Sequence, residues 1–424
     1  GREHFAAFLL QERFGRASNG LGVVNDHDSH PSQIARVAIH PVVPLGRGDQ
    51  PPRDNCYIAM DAHACQGARP ENASALTRRD RFRPGVQSRD ASIDDRPRYC
   101  GHWHAQGGIV ALEVIVVMDP IGSIKIVKDT SFALLLEAQR RGHRVHVAEI
   151  SDLRVHDGTA QVRATPVTVR DDPRDWFTPG QPQVRALRQF DVAFMRTDPP
   201  VDAAYLHATQ ILGMAQRDGT MVVNDPQGLR DMNEKLAALL FPQCCPPTMV
   251  SGDAATLKAF VAEHGDCVLK PLDGMGGRSI FRARAGEANL NVILETLTDG
   301  GRQFAMAQKY LPEIVDGDKR ILLIDGEPVP YCLARIPQGD EFRGNLAAGG
   351  RGEGRPLSER DRWIAAHVGP ELRRRGMRLV GLDVIGDWLT EVNVTSPTCM
   401  RELDAQFGLN IAGDLFDRIE ASIA

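Results

Sequence analysis

The chain has 424 residues, 42% of them hydrophobic and 25% charged, with a formal net charge of -5 at pH 7. That is the composition of a folded protein, and the length points to two or three packed units. It excludes wholesale disorder, and without a basic excess it excludes a nucleic-acid or anionic-membrane binder. The longest apolar stretch, Ile109–Met118, is ten residues broken by Glu113, too short to span a bilayer. Near the start only Ala6–Leu10 is small or apolar before Gln11 and Glu12, which makes no signal-peptide core, so a cytoplasmic protein is expected. Eight cysteines without CxxC spacing make no disulfide framework.

Residues 1–111 form a poorly patterned head. They carry fourteen Arg and no Lys against nine Asp and three Glu, with no sustained apolar repeat beyond pieces such as Ala35–Val43. A disordered extension is expected, with a misassigned upstream start as the plain alternative. Cys56, His63, Cys65, Cys100, His102 and His104 gather there, but their spacings fit no paired zinc-ligand pattern.

Order begins at Leu112. Glu113–Asp119 (EVIVVMD) is a short β-branched run of the kind buried in a parallel sheet. Thr130 or Ser131 can cap a helix over Phe132–Arg141, which Gly142 ends. Arg144–Ile150, Phe190–Met195 and Thr220–Asn224 read as further strands, with a helix around Tyr205–Arg217. The alternation predicts a doubly wound α/β unit over 112–232. Asp119 and the Arg196-Thr197-Asp198 cluster fall at strand ends, where ligands of such folds collect.

Asn233-Glu234-Lys235 opens a predicted helix, Lys235–Leu240. Beyond it, Asp266–Phe281 reads DCVLKPLDGMGGRSIF: a strand ending at Lys270, a loop with Gly274, Gly276 and Gly277, then a strand from Ser279. The glycines let backbone N–H groups approach phosphate oxygens, and the lysine adds fixed positive charge. It is no Walker loop, because the lysine precedes the glycines, and a Gly-rich hairpin turn would look similar. Met306–Leu311 (MAQKYL) is strand-like and leads through Pro312 to Asp316–Arg320, a linker able to offer its backbone to an adenine.

The stretch Gly339–Gly352 holds five glycines and reads as a mobile lid, against the plain alternative of a surface loop. Leu379–Val394 (LVGLDVIGDWLTEVNV) is two apolar strands around Gly386-Asp387, on which Glu391 and Asn393 share a face. An odd-length loop, Gly386–Trp388, brings Asp383 opposite Glu391. Three hard oxygen donors then meet, suited to Mg²⁺ shared with phosphates. A two-residue turn at Gly386-Asp387, which the residue types favour, sends Asp383 to the other face. The odd loop is expected, because polar side chains buried without partners on these strands are costly. Ser396 and Thr398 can donate to a substrate carboxylate or cap a helix beginning near Met400.

Lys235, Lys270 with its PLDGMGG loop, QKYL (308–311), DKR (318–320) and Asp383 with Glu391-x-Asn393 occur in the order of an ATP-grasp ligase. The strings YCLARIPQ (331–338), RGNLAAGGRG (343–352), EVNVTSPT (391–398), MDPI (118–121), MRTDPP (195–200) and LRDMNEKL (229–236) are more specific. Over 112–424 the chain resembles the prokaryotic-type glutathione synthetases. The resemblance implies an N-terminal α/β pre-ATP-grasp domain (112–232) that helps bind the peptide. A two-subdomain ATP-grasp fold is implied after it, 233–312 as the central or lid part and 313–424 as the catalytic part.

By the same resemblance, Lys235, Lys270, Gly274, Gly276 and Gly277 hold ATP phosphates. Gln308, Lys309, Tyr310 and Leu311 line adenine, and Asp318 lies near the ribose. Asp383, Glu391 and Asn393 hold two Mg²⁺, with Mn²⁺ as a substitute. Arg320, Arg335 and Arg343 stabilise the transferring charge, and Asn345, Ser396 and Thr398 touch substrate. The implied reaction ligates γ-glutamylcysteine and glycine through an acyl phosphate, giving glutathione, ADP and phosphate, in a homotetramer. Another ATP-grasp carboxylate–amine ligase, or a non-catalytic nucleotide-binding regulatory protein, would share the nucleotide residues. The 331–352 strings favour the first reading.

Overall fold

The computed structural model describes residues 111–339, 343–344 and 349–423. The expectations for 1–110, the Cys/His cluster included, lie outside the described residues. Eight strands make the first sheet: β1 (Glu113–Val117), β2 (Arg144–Ala148), β3 (Leu153–His156), β4 (Thr159–Val169), β5 (Phe177–Pro179), β6 (Gln183–Ala186), β7 (Val192–Met195) and β8 (Met221–Val223). β1, β2, β7 and β8 pair in parallel in the order 2-1-7-8, as the β-branched runs predict. The other strands extend this sheet in antiparallel fashion through β4. The sequence reading missed this extension.

Helix α1 (Thr130–Arg140) is capped one residue earlier than expected. The Asp129 carboxylate accepts the Phe132 N–H at 2.7 Å, while Thr130 and Ser131 are buried inside the first turn. A carboxylate also complements the helix dipole, which a hydroxyl does not. Helix α2 (Ala203–Arg217) follows β7, with Asp202 capping Tyr205.

The second sheet is wholly antiparallel: β9 (Thr248–Ser251), β10 (Asp266–Pro271), β11 (Phe281–Arg284) and β12 (Ala305–Lys309), in the order 11-10-12-9. Helices α4 (Ala254–His264) and α5 (Leu290–Thr298) cover it, the short α3 (Pro226–Asp231) lying before it in the chain. The third sheet is β13 (Asp318–Ile324), β14 (Glu327–Ile336), β15 (Arg351–Pro356), β16 (Leu379–Ile385) and β17 (Trp388–Asn393), in the order 15-14-13-16-17. It packs with α6 (Glu359–Arg374) and α7 (Met400–Phe407), and α8 (Ile411–Ile423) lies against α7 and α1.

Burial divides unevenly among the sheets. Two apolar clusters mix residues of the first and third sheets, for example Phe194 with Leu322 and Phe416, and Met195 with Leu382. The second sheet closes a core of its own, built on Leu257, Phe260, Val261, Leu269, Leu294 and Leu297. The middle segment is therefore a separately cored lobe attached to a continuous base. No helix among the described residues is long and apolar enough to cross a membrane.

Candidate active site

The β16–β17 hairpin sets the geometry. Its turn is the two-residue Gly386-Asp387 form, since Ile385 pairs with Trp388, and the expected odd-length loop is not what forms. Asp383 nevertheless stands opposite Glu391, and Gly381 opposite Asn393, because a bulge between Asp383 and Val384 takes up Thr390. The Thr390 hydroxyl donates to the Asp383 carbonyl at 3.1 Å and pins the extra residue. The bulge thus does what the odd loop was expected to do.

Asp383 is buried among arginines. Arg320 donates to it from Nε at 2.6 Å and Nη2 at 3.1 Å, and Arg335 Nη2 lies 2.8 Å away. Burial alone would raise the Asp383 carboxyl, but Arg320 and Arg335 hold it well below the usual range. Arg335 also reaches the Asp318 carboxylate. Burial pushes Asp318 up to about 7 against the pull of Arg335, and the neighbouring Asp383 carboxylate adds to the rise. The second Asp318 oxygen, Oδ1, is buried with no hydrogen-bond partner among the described residues, which suits a ligand hydroxyl.

Lys235 and Lys270 converge on Glu391 from two directions, at 3.5 and 3.7 Å. Lys235 is not helical as expected. It sits in a turn where Asn233 Oδ1 accepts the N–H groups of Lys235 and Leu236 at 3.1 Å each, and a 3₁₀ turn follows at Ala237–Leu240. Its ammonium donates to the Gly274 carbonyl at 2.7 Å, tying it to the glycine loop. Lys270, near the end of β10, is buried, and desolvation lowers its pKa against the pull of Glu391. Gln308 accepts from Lys270 at 3.4 Å and donates to Thr248 at 3.1 Å. Gly276 and Gly277 take positive φ, and Arg343 donates to the Gly277 carbonyl at 2.7 Å.

Two clefts meet at this cluster. One, of about 840 Å³, lies between the second and third sheets, lined by Lys235, Lys270, the glycine loop, Gln308–Leu311, Asp318 and Arg343. The other, of about 1630 Å³, opens toward the first sheet, lined by Asp119, Arg196, Asp198, Arg320, Arg335, Asn393, Ser396 and Thr398. Gly274, Met275, Gly276, Asp383 and Glu391 belong to both. The described residues thus bring the expected set together. Asn345 lies outside them, as do 340–342 and 346–348 of the expected lid.

The donors suit a hard cation in kind. Asp383 and Glu391 face each other on the shared wall, and the third donor is the Asn393 amide, whose nitrogen is turned to the Gly381 carbonyl at 3.3 Å. No group of three His, Cys, Asp or Glu side chains among the described residues is by itself placed to hold a metal ion. Ser396 donates to Asp198, and neither it nor Thr398 caps α7, whose cap position is Cys399 at φ 84° with no side-chain capping bond.

Two contributors escaped the sequence reading. Gly381 leaves room for Arg320, since a Cβ there would sit 2.7 Å from the arginine Cδ. Glu234 accepts from Val394 N, Thr395 N and Thr395 Oγ1 at 2.8 to 3.2 Å, fixing the chain just past Asn393. Its only sequence signal was its place beside Lys235.

Comparison with known proteins extends this geometry. The family description "Prokaryotic glutathione synthetase, N-terminal domain" matches residues 112–230, and "Prokaryotic glutathione synthetase, ATP-grasp domain" matches 234–408. The chain is 71% identical over 315 residues to the glutathione synthetase of Xanthomonas campestris pv. campestris, covering 74% of this chain and all of that protein. It is 56% identical over 309 residues to that of Salmonella typhimurium, covering 73% and 98%. Among solved structures, D-cycloserine synthetase DcsG shares the fold at a TM-score of 0.53 and 15% identity, covering 73% of this chain and 100% of that one.

Proposed function

The chain belongs to the prokaryotic glutathione synthetase family of ATP-grasp ligases, and we propose that it joins γ-glutamylcysteine to glycine with cleavage of ATP to ADP and phosphate. The observation that carries this is the meeting of two clefts at Asp383, Glu391 and the glycine loop. One cleft has the lysines and backbone for a nucleotide, the other the cations for a peptide acid.

The adenine lies along Gln308–Leu311, the ribose against Asp318, and the phosphates between Lys235, Lys270 and the N–H groups of Gly274–Gly277. An oxygen of the cysteinyl carboxylate attacks the γ-phosphorus, and the bond from phosphorus to the ADP oxygen breaks. The glycine amine then adds to the acyl carbon, loses a proton, and phosphate leaves. Arg320 and Arg335, fixed by Asp383, offer guanidinium N–H groups to the oxygens on which charge collects, and Arg343 closes the loop side. Their positions are set before substrate arrives, so little reorganisation accompanies the transfer. Asp383, Glu391 and Asn393 would hold two Mg²⁺, or Mn²⁺ in their place. When bound, these ions neutralise phosphate charge and align the γ-phosphoryl group. The same reading carries a cytoplasmic homotetramer, which light scattering after gel filtration would test.

The direct test incubates the full chain, and separately residues 112–424, with Mg-ATP, γ-glutamylcysteine and glycine, omitting each in turn, with products identified by mass spectrometry. Glutathione formed in step with ADP, and only in the complete mixture, is expected. ADP without glutathione would assign a different acid or amine to the same scaffold, and folded protein giving no ADP would make it a non-catalytic nucleotide binder.

A further inference from the structure

The peptide-side cleft holds a cation that the phosphate chemistry does not use. Arg196 follows the last residue of β7 into the cleft and is only 5% exposed. Its Nε donates to Ser131 Oγ at 3.1 Å and its Nη2 to the Pro397 carbonyl at 3.0 Å, both neutral acceptors. Among the described residues no carboxylate forms an ion pair with it; burial lowers its pKa, and Asp129 and Asp198 oppose that only at longer range. A buried guanidinium without a counter-anion is costly, and a cleft wall is where a ligand can supply the anion.

Asp119 and Asp198 line the same cleft. The Asp198 N–H donates to Asp119 Oδ2 at 3.1 Å, and the Ser396 hydroxyl donates to Asp198 Oδ1. Asp129, the other nearby acid, is occupied as the cap of α1. A buried cation beside two aspartates on one wall complements a zwitterionic α-amino-acid head, whose carboxylate and ammonium sit on one carbon. In the proposed reaction only the γ-glutamyl end keeps such a head throughout. The cysteinyl carboxylate becomes the acyl phosphate, and the glycine amine must be uncharged to attack.

Resting on the ligase reading, we propose that Arg196 pairs with the α-carboxylate of the γ-glutamyl head and that Asp119 and Asp198 receive its α-ammonium. The peptide is then anchored at its far end, with the cysteinyl carboxylate directed to the Arg320–Asp383 end of the cleft.

The test uses the full chain with γ-glutamylcysteine and two analogues. 4-Aminobutyryl-cysteine lacks the α-carboxylate, and glutaryl-cysteine lacks the α-ammonium. The unaltered protein should lose at least about tenfold in kcat/KM on each analogue, as expected when one partner of a buried charge pair is removed. Arg196→Met should lose about as much on γ-glutamylcysteine and glutaryl-cysteine, yet stay within about twofold on 4-aminobutyryl-cysteine and in KM for ATP. Asp198→Asn should show the reverse preference between the analogues. Equal use of γ-glutamylcysteine and 4-aminobutyryl-cysteine by the unaltered protein overturns the assignment without recourse to any variant. An Arg196→Met loss that is uniform over all three dipeptides also overturns it, making Arg196 a structural tie between Ser131 and Pro397. No product from the unaltered protein and γ-glutamylcysteine overturns the ligase reading itself, and this assignment with it.

Discussion

Asp383 holds two guanidinium groups with one carboxylate, and the side chains around it are fitted to that task. Gly381, its neighbour on the same face of β16, leaves the space in which Arg320 lies. Gly381→Ala should move Arg320 off Asp383 and lower kcat by about tenfold to a hundredfold, the scale of a misplacement near 1 Å. The circular dichroism spectrum should be retained, and an unchanged kcat would show that Arg320 shifts without consequence. At this scale much was legible. Lysines, acids and glycines stand out by type and order, and each described residue expected in the site lines one of the two clefts or contacts its lining. Gly381 and Glu234 were not legible, because one acts through the volume it leaves empty and the other through bonds to backbone distant in sequence.

Elements were read less evenly, for physical reasons that differ from case to case. The β16–β17 turn has the two residues its Gly-Asp composition favours, while the face of Glu391 depends on a bulge held by a tertiary bond from Thr390. Local preference and final register are separate quantities, and only the first is written in the turn. The β3–β4 hairpin, by contrast, carries a readable signal in Asp157-Gly158, both at positive φ, that lies outside the strand–helix alternation. β5 and β6 are short partners of β4 without a periodicity to detect.

A pH effect belongs to the junction of α7 and α8, where the Asp404 carboxylate accepts the Ile411 N–H at 3.1 Å. Burial pushes this carboxyl up to about 6, the Ile411 N–H pulling the other way and Asp414 adding to the rise. Its folded value lies above the 3.8 of an ordinary aspartate, so the folded chain prefers the neutral form. Ionisation therefore costs nothing below about pH 4 and its full amount above about pH 6. Asp404→Asn keeps the acceptor and stays neutral, so its Tm relative to the unaltered protein should climb between pH 4 and 7. A difference that stays constant across that window would show that Asp404 is solvated in both states.

On the scale of the molecule, the first and third sheets share their cores while the second closes its own. The ion pair from Lys270 to Glu391, and the bonds of Lys235 to Gly274 and of Arg343 to Gly277, bridge the lobe and the base. A non-hydrolysable ATP analogue with Mg²⁺ should replace these with phosphate contacts. Amide hydrogen exchange should then slow across Gly274–Gly277 and change little in the Leu257–Leu297 core. Protection spread evenly through the lobe would mean that it folds more tightly on binding.

A lobe with its own core is also a replaceable cassette. The residues proposed to face the adenine, Gln308–Leu311, lie at its edge, whereas Arg320, Arg335, Asp383 and Asn393 stay with the base. Grafting a relative's lobe onto this base would alter which nucleotide is consumed and leave untouched which bond is made, so currency and product can evolve apart.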